Sequence, residues 1–205
     1  MHPEALSDKG KVIFTSLKRF SEFYLGGGTA LALQIGHRIS VDFDLFREEE
    51  ISEDLLAEVE RIFSQREIRP SVNNRNELTI FVDDIKITFL RYLFPSVLEL
   101  VNYEGIKLLS VEEIAVTKAY TIGRRGSYKD YVDLYFIVSE GRSSLDGVIG
   151  LAKKKYGSEF NARLFLEQLV FFEDIKDSEI LFLREKISRE VIEGFFQEKV
   201  REIKL

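Results

Sequence analysis

The stretch LGGGTALALQIGHRISVDFDLF, residues 25–46, restricts the fold of this chain more than any other part of it. FYLGG, residues 23–27, reads as a short buried strand ending in glycine. Thr29 opens an alanine- and leucine-rich run that suits a helix capped by the threonine hydroxyl and stopped by Gly36. VDFDLF, residues 41–46, alternates polar and apolar side chains at period two, the mark of a half-buried strand. Asp42 follows Thr29 by thirteen positions, room for one short helix, so the second strand returns beside the first.

The same stretch carries chemistry. Gly27, Gly28 and Thr29 lie between strand and helix, where glycine lets backbone amides approach an anion and the helix N-terminus adds partial positive charge. A nucleoside triphosphate suits such a turn, although a plain strand-to-helix turn uses the same residues. Asp42 and Asp44 stand two apart on a strand, so both carboxylates leave one face while Phe43 and Leu45 point to the core. Ionised side by side, they repel unless solvated, protonated or bridged by a cation. A solvent-facing strand end would also carry them; the glycine turn just upstream raises them to a candidate metal–triphosphate pair. The chain has no Cys and only His2 and His37, so a metal here is a hard ion on carboxylates, Mg²⁺ or Mn²⁺. In the intervening loop Arg38 suits bidentate phosphate binding and Ser40 shares the face of Asp42, while His37 reads as a helix C-cap.

Before this stretch, Val12, Ile13, Phe14, Leu17 and Phe20 form a helical stripe. After it, SEDLLAEVERIFSQ is an amphipathic helix with Ser52 as N-cap. EIRPSVNN, ELTIFVDD and IKITFLRYLF are strands with turns at Asn73, Asn74 and Asn76 and at Asp83 and Asp84, and Pro95 closes this half. From Ser110 the pattern becomes helical, opening on a capping box of Ser110 and Glu113. The expected fold class is α+β (α/β): a mixed sheet with flanking helices over 1–98, followed by a helical domain over 99–205 packed against it across a cleft. With 205 residues the chain is one large domain or two small ones.

The helical half holds a second constellation. Lys118 sits mid-helix among Ile114, Ala115, Ala119 and Tyr120, a setting equally natural for a snorkelling surface lysine. GRRGSYKD gathers Arg124, Arg125 and Lys129, and Asp130 and Asp133 follow three apart on one helical face. This is a surface salt-bridge cluster or a phosphate and RNA site. Lys153 to Lys155 read as a solvated face, with contact to an RNA backbone as the other use. The formal net charge of −6 opposes a general nucleic-acid coat protein and leaves room for a local basic patch. MHPEALSDKG at the N-terminus is polar, and no run approaches the roughly 20 apolar residues that span a bilayer, so a cytoplasmic protein without a membrane partner is expected.

Taken together, GGTALALQIGHRISVDFDLF and VEEIAVTKAYTIGRRGSYKDYVDLYF resemble the AbiEii/AbiGii family, abortive-infection and toxin-type nucleotidyltransferases of the polymerase-beta superfamily. The resemblance implies a nucleotidyltransferase α/β core followed by a helical domain. It implies Mg²⁺- or Mn²⁺-dependent transfer from a nucleoside triphosphate to RNA, tRNA above all, or to a protein serine or threonine. A cognate antitoxin is the implied partner. By position, Gly27, Gly28 and Thr29 match the triphosphate turn, and Ser40 the hydroxyl residue two before the first acid. Asp42 and Asp44 match the metal-binding acids, Lys118 and Asp130 the lysine and acid of the second motif, with Arg125, Lys129 and Asp133 beside them. The chain departs from the superfamily where a third carboxylate often stands: Thr88 holds that place. That departure is what favours the alternative, a catalytically weak or inactive fold that binds nucleotide, RNA or protein.

Overall fold

The computed structural model describes residues 1–176 and 178–204. The chain divides into two compact units, Met1–Leu109 and Ser110–Leu205.

In the first unit a 3-10 turn, Pro3–Ala5, precedes helix α1, Asp8–Leu17. Strand β1, Tyr24–Gly26, runs directly into helix α2, Gly27–Ile35. Strand β2, Phe43–Arg47, and helix α3, Leu55–Ile62, come next. Then follow β3, Ile68–Asn73; β4, Glu77–Val82; β5, Ile85–Arg91; β6, Val101–Tyr103; and β7, Ile106–Leu108. All seven form one sheet in the order β3-β4-β5-β2-β1-β7-β6. β2 with β5 and β1 with β7 are parallel pairs, and the other neighbours are antiparallel. This is the mixed sheet with flanking helices that the sequence pattern implies.

Register explains the two faces. Leu25, Leu45, Phe89 and Leu78 are partners across four strands, as are Phe43, Ile87 and Ile80 across three. Partners in register share a face, and all seven side chains are buried. Phe20 and Phe23 pack edge-on against Phe89, each with ring centroids 5.0 Å away. Ala30 to Leu33 and Ile35 of α2 have no exposed surface, which is why that helix is apolar all round. With Phe43 and Leu45 committed to the core, Asp44 faces the other way.

Several local readings change. Val12 is exposed, since Ile13, Phe14 and Leu17 define the buried stripe of α1. α3 begins at Leu55 with Asp54 at the N-cap, and the Ser52 hydroxyl accepts the Asp54 N–H within the preceding turn. Asp83 and Asp84 both have positive φ, 48° and 71°, the two-residue turn whose twist suits a hairpin. The sheet also continues past Pro95. β6 and β7 are three residues each, too short to show an alternation, yet Leu108 pairs in parallel with Leu25.

The second unit is helical: α4, Val111–Arg125; α5, Tyr128–Ser139; α6, Leu145–Tyr156; α7, Ala162–Val170; and α8, Arg189–Glu202. Ser110 caps α4 by accepting the Glu113 N–H at 3.2 Å, but the Glu113 carboxylate does not complete the box. It turns inward to the Lys155 ammonium on α6, and neither side chain has exposed surface. Lys155 therefore leaves the solvated face, where Lys153 and Lys154 remain. Among the described residues no helix is long and apolar enough to cross a membrane.

Removing one partner of a buried ion pair strands the other charge. Lys155→Met is expected to cost about 3–5 kcal/mol in urea unfolding, and Glu113→Leu combined with Lys155→Met to recover most of it.

Candidate active site

The site in the first unit is built by one register. β1 and β2 pair antiparallel with Gly26 opposite Asp44, and α2 starts at the next residue. Gly27 has φ +64°, the left-handed region, and a Cβ there would stand 2.7 Å from Asp44 Oδ2. Only glycine lets this helix begin against that carboxylate. The first-turn amides of α2 lack acceptors within the helix, and the turn contains no acidic residue of its own. The Asp44 carboxylate thus lies beside the positive end of a helix dipole.

Thr29 is the third residue of α2, and Gly26, without a side chain, takes the N-cap. The Thr29 side chain is buried; its hydroxyl bonds the Ser40 hydroxyl at 2.8 Å and donates to the Asp42 carbonyl. The residue therefore pins the segment that delivers Asp42. Ser40 is buried too, and its N–H donates to the Ala5 carbonyl at 3.0 Å. Arg38 is only 4% exposed, with Nη1 on the Ile39 carbonyl at 3.1 Å. The N-terminal 3-10 turn is tied to α2 by the His2 N–H, which donates to the Leu33 carbonyl, and to the loop by the Ser40 N–H on Ala5. Gly36, with φ +62°, caps α2 in place of His37, which is fully buried.

Asp42 keeps 44% of its side chain exposed, and Lys86 Nζ lies 3.9 Å from its Oδ2. β2 and β5 run parallel in register, so Asp42-x-Asp44 faces Lys86-x-Thr88. Thr88 stands opposite Asp44, and Thr79 stands opposite Thr88, donating its hydroxyl to Glu77 Oε1 at 2.6 Å. Lys86 was not among the residues singled out from sequence; the matching spacing of DFD and KIT was the signal available. Asp83 is held at the hairpin by Arg66 at 2.6 Å and by the Glu67 N–H. Among the described residues no three or more His, Asp or Glu side chains converge as a ready-made metal site. Mg²⁺ typically takes one or two carboxylates and fills its remaining positions with water and substrate phosphates. Two same-face aspartates beside a helix N-terminus, with the space a Cβ of residue 27 would fill, fit that requirement.

In the second unit Lys118 Nζ lies 2.7 Å from Asp130 Oδ1 and 2.7 Å from Asp133 Oδ2. Lys118 is not a snorkelling surface lysine, since its side chain is 10% exposed. The other Asp130 oxygen accepts the Ser127 N–H and hydroxyl at 2.9 Å each, so this acid also caps α5. Asp133, expected among the phosphate and RNA contacts, has no exposed surface and instead holds Lys118 from within. Tyr131 donates its hydroxyl to the Gln168 carbonyl at 2.9 Å, and burial, helped by the Asp130 charge, pushes it up to about 12. It stays protonated at neutral pH and does not act as a base. Arg124 lies 3.6 Å over the Tyr120 ring and donates to the Glu159 carbonyl at 2.6 Å, while Arg125 and Lys129 are exposed.

Comparisons with known proteins bear on both units. The family model described as "Nucleotidyl transferase AbiEii toxin, Type IV TA system" matches residues 15–203. An uncharacterized protein of Aquifex aeolicus (strain VF5) is 35% identical over 191 residues, 91% of this chain and 90% of that protein. The nucleotidyltransferase toxin MenT4 of Mycobacterium tuberculosis H37Rv superimposes with a TM-score of 0.64 at 16% identity, over 94% of this chain and 83% of that one. JHP933 of Helicobacter pylori gives 0.53 at 17% identity, over 96% and 95%. The two structures share the fold.

Gly27→Ala forces a side chain into the left-handed region and against Asp44. It is expected to lose about 1–2 kcal/mol of stability in urea and to weaken Mg²⁺-dependent triphosphate binding measured by calorimetry.

Proposed function

The chain belongs to the AbiEii family of nucleotidyltransferase toxins, and on that premise we propose that it transfers a nucleotide, with Mg²⁺ or Mn²⁺, from a nucleoside triphosphate to a hydroxyl of RNA, tRNA above all, or of a protein. The proposed setting is the cytoplasm, with a cognate antitoxin as partner. The observation that carries the reading is the register that sets the Asp44 carboxylate against the N-terminus of α2.

In this reading the amides of Gly27, Gly28 and Thr29 receive the outer phosphates, where the helix dipole favours negative charge. Asp42 and Asp44 hold the metal, which when bound supplies charge neutralisation at the transferred phosphoryl group. Thr29 acts through its buried hydroxyl by fixing the Asp42 backbone. Ser40 and Arg38 shape the same loop from inside. The acceptor oxygen bonds to the α-phosphorus as the bond to the β-phosphate oxygen breaks. Pyrophosphate leaves, and the Asp42 carboxylate takes the hydroxyl proton. Lys118 is assigned to neutralising phosphate charge, and Asp133 to fixing its ammonium. Orientation and electrostatics carry most of such a reaction.

Thr88 opposite Asp44 favours a second reading, a fold that binds nucleotide or RNA with little turnover. Two carboxylates maintained on one face beside a helix N-terminus oppose it, because a cation bound between them would relieve their mutual repulsion.

The test is incubation of the purified chain with Mg²⁺, each labelled ribonucleoside triphosphate and total tRNA. Label is expected in the RNA from wild type, and Asp44→Asn is expected to reduce incorporation about 100-fold or more with its circular dichroism unchanged. Label on protein would move the acceptor to a serine or threonine. No incorporation with triphosphate binding intact would favour the binding module.

A further inference from the structure

We infer that Lys86 is a phosphate-binding residue of the transfer site, whose ammonium rests at Asp42 and passes to an incoming triphosphate. The inference rests on the nucleotidyltransferase reading and adds a residue to that site.

The hairpin and the sheet place this lysine. Asp83 and Asp84, both at positive φ, turn β4 into β5 and pair Val82 with Ile85. Ile85 and Ile87 are buried, so Lys86 between them leaves the opposite face of β5. β2 and β5 run parallel, with Phe43 opposite Ile87 on the core face and Asp44 opposite Thr88 on the other. Two residues earlier on that second face, Lys86 Nζ lies 3.9 Å from Asp42 Oδ2. That is well beyond the about 2.7–2.9 Å of a charge-assisted hydrogen bond, and the Lys86 side chain is 39% exposed. Charge alone holds it near Asp42, with room for a second acceptor. The acids nearest to it in sequence are turned elsewhere, Asp83 to Arg66 at 2.6 Å and Asp84 towards Arg69 at 3.9 Å.

Charge balance gives the role. A divalent cation on Asp42 and Asp44 is neutralised by those two carboxylates, and a triphosphate then brings further negative charge. The N-terminus of α2 answers it with partial charge only. Of the cations singled out from sequence for phosphate, Arg38 is 4% exposed, with Nη1 on the Ile39 carbonyl. Lys118, in the second unit, stands between Asp130 and Asp133 at 2.7 Å from each, so two carboxylates already balance its charge. Lys86 has one carboxylate, at a longer distance, on the face that carries both acids of the site. A lysine suits a change of acceptor, being a compact charge on a flexible four-carbon stem. In the chain alone that charge competes with a metal for Asp42. With the triphosphate present it binds phosphate, and the competition ends.

The test is a pair of titrations of the full chain that need no turnover. Mn²⁺ alone is followed by electron paramagnetic resonance, and a fluorescent non-hydrolysable nucleoside triphosphate with saturating Mg²⁺ by anisotropy. Lys86→Met, which keeps an apolar stem, is expected to bind Mn²⁺ about threefold more tightly, because Asp42 loses a competing charge. The same variant is expected to bind the triphosphate about tenfold more weakly, and Lys86→Arg to regain most of that loss. Unchanged triphosphate affinity in Lys86→Met would overturn the inference, as would a loss confined to Lys118→Met. Weaker binding of both metal and triphosphate would also overturn it, since a side chain with only a structural role gives that result. Opposite shifts in a chain that never transfers nucleotide would sink the functional reading and leave this one standing. Transfer abolished by Asp44→Asn and undiminished in Lys86→Met would do the reverse.

Discussion

Everything proposed for the first unit depends on one pairing, Gly26 of β1 against Asp44 of β2. It places a carboxylate at the start of a helix that follows β1 with no intervening residue. The left-handed φ of Gly27 and the 2.7 Å that a Cβ would leave to Asp44 show how little room the arrangement has. The core enforces it from behind: Ala30 to Leu33 and Ile35 of α2 are buried, and Phe43 and Leu45 flank Asp44 on the opposite face. A slip of one residue in β2 would exchange aspartates for phenylalanine and leucine, a cost the fold does not tolerate.

Charge is handled differently in the two units. Asp42 and Asp44 remain partly exposed, beside a helix N-terminus and a lysine at 3.9 Å, so a cation and phosphates can enter. Lys118 is enclosed by Asp130 and Asp133 at 2.7 Å, and Glu113 and Lys155 are sealed completely. Sealed pairs fix geometry at some cost in stability. The Lys118 cluster combines both uses, since Asp130 caps α5 through Ser127 and binds the lysine through its other oxygen.

Much of this was legible from sequence because it is local. Strand, glycine turn, helix and returning strand follow from spacing alone, and the same-face placement of Asp42 and Asp44 follows from period two. What was not legible depends on distant chain. The burial of Ser40 involves the 3-10 turn at Pro3–Ala5, whose Ala5 carbonyl accepts its N–H, and that of Thr29 involves Ser40 and the Asp42 carbonyl. The pairing of Glu113 with Lys155 joins residues 42 apart, and the place of Lys86 beside Asp42 needs the parallel register of β2 and β5. β6 and β7 are too short for any periodic signal. Thr88 was legible as a departure, and register puts it opposite Asp44.

The most direct test of the account is calorimetric titration of the wild-type chain with a non-hydrolysable nucleoside triphosphate, once with Mg²⁺ and once with chelator. Binding that appears with the metal and disappears without it is expected if Asp42 and Asp44 complete their site with a cation and phosphates. Equal binding in both conditions would mean that the two carboxylates play no part in holding the nucleotide.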